Sequence, residues 1–294
     1  MAKYLSKPGI RMQEFGTKLV ATIIMALPAV IIILQNETGS ALVYGALVFV
    51  LYREGLSGNF LLFGVFIAIL FLLALLFDKF LLIQILTAIA VLVFLFSRYK
   101  KRLILPISAI LIVCSGFIYS VDYIFQNKLK PHQKKRIEVL LGKETDLKGA
   151  GYNVHQSMIA IGSGGFLGKG FLQGTQTKYN FVPEQSTDFI FCTIGEEWGF
   201  LGTLIIIGVF VFFIIRIIYV AERQRSQFSR IYGYAIASIF FFHFAINIGM
   251  TIGLAPVIGI PLPFFSYGGS SLWSFTILLF IFIKLDKNRL LILQ

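Results

Sequence analysis

Charge is scarce in this sequence: Asp, Glu, Lys and Arg make up 14% of its 294 residues, where a soluble domain carries about 25%. With a mean hydropathy of +0.84, that shortage excludes an ordinary water-soluble globule. Cysteine is nearly absent. Cys114 and Cys192 lie in or beside apolar stretches and no CxxC pair exists, so the cysteines say nothing about a disulfide framework. The three histidines, His132, His155 and His243, are too scattered to mark a metal site. The first sixteen residues, MAKYLSKPGIRMQEFG, are basic and polar without a cleavage pattern, so no removable targeting segment is expected.

Uncharged runs take the place of charge. Residues 19–36, 55–77, 80–97, 103–121 and 198–215 each lack Asp, Glu, Lys and Arg, and 231–283 is long enough for two crossings. A run of about 20 apolar residues spans a bilayer as a helix. The expected fold class is therefore all-α: a polytopic membrane protein, a single transmembrane domain over 1–294. Eight spanning helices are expected, at 18–35, 38–53, 59–77, 79–97, 103–125, 188–220, 230–253 and 270–286. The second is short, with fifteen uncharged residues from Thr38 to Tyr52. The sixth is expected to begin above the membrane core and to cross it after Trp198.

Basic residues alternate along the loops. Lys3, Lys7 and Arg11 precede the first helix; Arg98, Lys100, Lys101 and Arg102 follow the fourth. Arg216, Arg223, Arg225 and Arg230 sit in a later connection, and Lys284, Lys287 and Arg289 near the end, while the loops near 36, 78 and 254–269 hold almost none. The positive-inside rule puts both termini in the cytoplasm and the long segment 126–187 outside. That segment carries nine basic residues, Lys128, Lys130, Lys134, Lys135, Arg136, Lys143, Lys148, Lys169 and Lys178, against four acids before Asp188. It either touches anionic lipid head groups or cradles an anionic substrate, and composition does not separate the two.

Within it, IGSGGFLGKGF (161–171) meets neither the Walker nor the dinucleotide spacing, since Ser163 and Leu167 occupy positions that need glycine. Its glycines either turn the chain or let backbone N–H groups approach an anion. The stretch GLAPVIGIPLPFFSYGGSS (253–271) has no charge, and Pro256, Pro261 and Pro263 forbid a continuous helix. It reads as a structural re-entrant turn, or as a polar cavity mouth built from Ser266, Tyr267, Ser270 and Ser271 with turns at Gly268 and Gly269.

FVPEQSTDFIFCTIGEEWGF (181–200) places Glu184, Asp188, Glu196 and Glu197 among aromatics at the edge of a long apolar run. Ser186 and Thr187 are candidate helix caps, with Asp188 in the first turn facing the positive helix end. Burial beside Phe181, Phe189 and Phe191 opposes ionisation. An acid held between these influences can act as a general base; alone, it more often just stabilises its helix. Glu196 and Glu197 either pair with Lys169 or Lys178 or mark the membrane boundary.

The stretch GYNVHQSMIAIGSGGFLGKGFLQGTQTKYNFVPEQSTDFIFCTIGEEWGFLG (151–202) resembles the signature region of the SEDS proteins (shape, elongation, division and sporulation). NIGMTIGLAPVIGIPLPFFSYGGSS (247–271) resembles their second signature. The wording KPHQKKRI, GYNVHQS and GTQTKYNF is closer to the elongation branch than to the division branch. The family's Gln-Pro-Asp-Leu-Gly-Thr turn reads QNETGS at 35–40, where Glu37 keeps the charge without the proline. About ten spanning helices are implied, of which roughly the first three are missing here.

The resemblance implies a peptidoglycan glycosyltransferase of the bacterial cytoplasmic membrane, polymerising lipid II and releasing undecaprenyl diphosphate during cell elongation. Its implied partners are a class B penicillin-binding transpeptidase and elongation-complex proteins, with no nucleic acid. Asp188 matches the family's essential acid and Lys169 its conserved lysine; the late loop matches Pro263 to Ser271. On this reading Asp188 deprotonates the acceptor GlcNAc 4-hydroxyl. Lys169, with Lys178 or Arg136 as weaker candidates, stabilises the leaving diphosphate. Gln176, Glu184, Ser266, Tyr267, Gly268 and Gly269 complete the expected substrate site. A divalent cation, Mg or Mn, is a candidate cofactor, but the sequence shows no clear ligand set for one. The alternatives are a lipid II flippase, which needs polar groups through the membrane depth, and a non-catalytic scaffold for the crosslinking partner.

Overall fold

The computed structural model describes all residues except 36, 97–99, 128–133, 135–150, 180 and 290–294. Helices dominate, and the described residues contain no strand. They form two compact units, one of Met1–Ser57 with Asp146–Gln294, the other of Gly58–Thr145.

The first unit begins with α1 (Ala2–Leu5), α2 (Phe15–Leu34), α3 (Thr38–Gly45) and α4 (Val48–Arg53). The second holds α5 (Gly58–Leu76), α6 (Lys79–Phe96) and α7 (Lys100–Asn127). The chain then returns to the first unit with α8 (Tyr152–Ser163), α9 (Thr175–Lys178), α10 (Ile190–Glu222), α11 (Gln227–Thr251) and α12 (Gly269–Lys287). Seven of these, α2, α5, α6, α7, α10, α11 and α12, are long and apolar enough to cross a membrane. The all-α, multi-pass expectation holds.

Three expectations need correction. The second spanning helix, expected over 38–53, is two short helices divided at Ala46 and Leu47. Its fifteen uncharged residues fall short of the roughly 20 a bilayer requires, and α3 packs back on α2. The sixth begins at Ile190, not Asp188, and Gly199 interrupts it with φ 63° and ψ −159°. The end of the expected outer loop is structured: α8 packs on α10 and α11. The loop's basic residues Lys128, Lys130, Lys135, Arg136, Lys143 and Lys148 lie outside the described residues.

The core of the first unit centres on α11, whose Ile231, Ile236, Phe240 and Met250 are each at most 1% exposed. Gly233 explains how closely its neighbours approach: a Cβ there would come within 2.7 Å of both Ala221 on α10 and Phe282 on α12. Ion pairs join several helix ends. Arg53 pairs with Glu222 at 2.9 Å, Arg230 with Glu54 at 3.2 Å, and Arg223 with Asp286.

In the second unit Leu70, Leu82, Cys114 and Ile118 form the core. Lys79 Nζ donates to Asp122 Oδ2 at 2.8 Å. The outer faces keep Phe63, Phe96, Leu105 and Val113 exposed. Helices apolar on every side belong in lipid.

Candidate active site

The two motif regions meet at the start of α10. Phe189, 1% exposed, packs with Val154, Ala160, Val182 and Cys192. This fixes the backbone just before the helix and leaves Asp188 half-buried. The expected caps are not formed. Thr187 Oγ1 instead donates to the Glu184 carboxylate at 2.9 Å, and no side chain caps α10.

Asp188 is held through its backbone by the late loop. Asn247, fully buried on α11, donates from Nδ2 to the carbonyls of Asp188 at 2.8 Å and Ile260 at 2.7 Å. Ser266 Oγ donates to Thr187 O at 2.6 Å and accepts from the Leu262 N–H at 2.7 Å. The Tyr267 N–H donates to Ser186 O at 2.8 Å. Ser266, expected to line a cavity mouth, spends its hydroxyl on this joint; the Tyr267 side chain is 81% exposed. Gly268 and Gly269 open α12.

Gly259 leaves room for the carboxylate. With φ +70° it occupies a conformation few other residues adopt, and a Cβ there would lie 3.2 Å from Asp188 Oδ2. Gly259 also lines a mostly apolar groove of about 260 Å³ with Tyr44, Leu47, Ile239 and His243. Gly39, in the QNETGS turn, lies so close to Ile258 that a Cβ would sit 2.2 Å from its carbonyl oxygen. That turn, the late loop and Asp188 are therefore neighbours.

Beside this joint, the glycine cluster fills the break in α10. The N–H groups of Lys169 and Gly170 donate to the carbonyls of Glu196 and Glu197, at 3.1 and 3.0 Å. Those of Phe200 and Leu201 donate to Gly165 and Phe166, at 2.9 and 3.2 Å. A broken helix in apolar surroundings must have its freed backbone groups satisfied, and this loop satisfies them. A Cβ on Gly168 would stand 2.1 Å from Glu197 O. Of the two readings of the glycine cluster, the structural one accounts for these N–H groups.

Lys169 joins the same assembly, paired with Glu196 at 2.7 Å, one of the pairings the sequence offered. Glu196 has no exposed surface. Its carboxylate also accepts from the Gln176 and Thr177 N–H groups and Thr177 Oγ1, all at 2.9 Å, and from Thr175 Oγ1 at 3.2 Å. Gln176 thus enters through its backbone. The Lys169 charge, expected to meet a diphosphate, is already offset by a buried carboxylate. Lys178 is exposed at the end of α9, while Arg136 lies outside the described residues.

Sequence reading missed Asn247 and Gly259 as site-builders. The signal for Asn247 was a lone amide within the uncharged run 231–283. Among the described residues no three His, Cys, Asp or Glu side chains gather as a metal-ligand set.

These features define a multi-pass membrane protein with a half-buried acid clamped between a broken helix and the late loop. The family model described as cell cycle protein, FtsW/RodA/SpoVE, matches residues 52–290, and the chain belongs to that family. A Treponema pallidum protein named peptidoglycan glycosyltransferase RodA is 40% identical over 172 residues, 58% of this chain and 40% of that protein. Escherichia coli peptidoglycan glycosyltransferase MrdB is 46% identical over 141 residues, 48% of this chain and 38% of its own. The Helicobacter pylori J99 protein of that name is 41% identical over 189 residues, 64% and 46% respectively. The chain therefore spans about two fifths of the length of these relatives. In fold it is similar to a chain from a solved peptidoglycan synthase complex described as coordinating polymerization and crosslinking. The TM-score there is 0.65 at 24% identity, covering 98% of this chain and 66% of that one.

Proposed function

We propose that this chain carries the polymerising site of a peptidoglycan glycosyltransferase serving cell elongation, with Asp188 as general base. The observation that carries the reading is the clamp on Asp188. Its backbone is fixed by Asn247 and, through its neighbours, by Ser266 and Tyr267, while Gly259 keeps space beside the carboxylate. An isolated helix-stabilising acid needs no such support.

In the reaction, Asp188 takes the proton from the GlcNAc 4-hydroxyl of the acceptor. The freed oxygen attacks the anomeric carbon of the lipid-linked donor, the carbon–oxygen bond to the diphosphate breaks, and the linkage inverts from α to β. The exposed Lys178 is the better placed of the two lysines to meet the departing undecaprenyl diphosphate, since Lys169 is already paired. The apolar groove beside Gly259 suits a prenyl chain. No step here runs through a metal.

The membrane is the bacterial cytoplasmic membrane, with both termini inside and Asp188 facing out; the alternation of basic loops supports that orientation. A class B penicillin-binding transpeptidase is the partner that crosslinks the product. The test is lipid II polymerisation by the full protein with that partner present. Asp188→Asn is expected to lower the rate at least a hundredfold, within the usual worth of general base catalysis of about 10²–10⁴. Full glycan synthesis by a folded Asp188→Asn protein removes Asp188 from the mechanism.

A further inference from the structure

A second polar site lies on the face of α10 that carries Ile190, Thr193 and Glu197. These residues line a pocket of about 300 Å³ together with Leu172, Lys178 and Ser186. That volume is at the lower end of ligand pockets, which run to roughly 1,000 Å³. Glu197 is 8% exposed. Unlike Glu196, its carboxylate has neither hydrogen bond nor ion pair among the described residues. A side chain this enclosed, with no protein donor on its carboxylate, has its acceptor capacity left for whatever occupies the pocket. Lys178 shares the pocket without an ion pair to Glu197. Leu172, at its edge, is one of two described non-glycine residues with positive φ, at 59°.

We infer that this pocket binds one N-acetylated sugar unit through Glu197, holding the glycan next to Asp188. The ligand class follows from the charges. An anion is repelled by the buried carboxylate, and a metal cation or ammonium group by Lys178. A neutral group with several hydroxyls and an amide satisfies both: its O–H and N–H groups donate to Glu197, and its oxygens accept from Lys178. Its C–H face packs on Leu172 and Ile190. Ser186, two residues before Asp188, lines the same pocket, which places it near the base along the chain. No bond is made or broken in this step; Glu197 is a binding residue.

The inference rests on the polymerase reading for its choice of sugar, and its test is kept separate from activity. The full chain, purified in detergent, is titrated with chitotetraose, a soluble oligomer of N-acetylglucosamine. Glu197→Gln is expected to weaken binding at least tenfold with the melting temperature retained, as fits loss of hydrogen bonds to a charged group. Lys178→Met, at an exposed position on the pocket wall, is expected to weaken it severalfold and stands in should Glu197→Gln fail to fold. Absence of saturable binding to the unsubstituted chain, or equal affinity in both variants, overturns the pocket assignment. A fully active Asp188→Asn would overturn the polymerase reading without touching this titration, so the two failures are told apart.

Discussion

Glu196 is fully buried, and its surroundings decide what Lys169 is for. A dehydrated carboxylate survives when it is paired and its oxygens are hydrogen-bonded. Here it has one cation, two backbone N–H groups and two hydroxyls at 3.2 Å or closer. Lys169 keeps 26% of its side chain exposed, so it tolerates losing its partner far better than Glu196 does. Lys169→Met is therefore expected to destabilise the protein by about 3 kcal/mol, the lower end for breaking a buried pair. Combining it with Glu196→Gln is expected to recover a large part of that loss. Thermal unfolding of the single and double variants in detergent checks both expectations. A Lys169→Met protein that melts like the unsubstituted chain would instead free this lysine for a ligand.

At the scale of elements, the break in α10 matters more than its length. Gly199 turns out of the helix where the Gly168 N–H would lie 2.3 Å from any Cβ. The four backbone bonds exchanged there dock 165–170 and so bring up Lys169 and α9. Gly199→Ala adds a backbone conformation worth about 1–3 kcal/mol of strain to a clash with backbone atoms that cannot swing away. It is expected to undock the segment and speed proteolysis within 163–178. Gly208→Ala on the same helix meets nothing within 4 Å and is the control, expected to be neutral; equal protease resistance in both would count against the docking. The contrast also shows what the sequence disclosed. Runs without charge located α11 and α12 to within a few residues, because crossing length is written in composition. The split between α3 and α4 and the break at Gly199 were not legible. In uniformly apolar sequence they are set by contacts with residues distant along the chain, such as Gly168. Asp188 stood out as an acid in an apolar run. Asn247 did not, because its two carbonyl partners, at Asp188 and Ile260, become visible only when the late loop folds back.

For the whole molecule, the decisive arrangement is which charges share a side. The ion pairs Arg53–Glu222, Arg230–Glu54 and Arg223–Asp286 tie the ends of α4, α10, α11 and α12 to one another. Asp188 lies before the other end of α10, and Tyr267 beside it through the Ser186 carbonyl. Exposed pairs of this kind stabilise by no more than about 1 kcal/mol each, so their consequence is orientation: basic end loops resist translocation. An orientation with Asp188 outward requires Arg225 and Tyr267 to label from opposite sides. Both are exposed, and the native thiols Cys114 and Cys192 are buried, which keeps the background low. In intact cells a membrane-impermeant maleimide is expected to label Tyr267→Cys and to spare Arg225→Cys until the membrane is permeabilised. Labelling of Arg225→Cys from outside would turn the carboxylate of Asp188 toward the cytoplasm, away from any acceptor glycan, and with it the polymerase reading would fall.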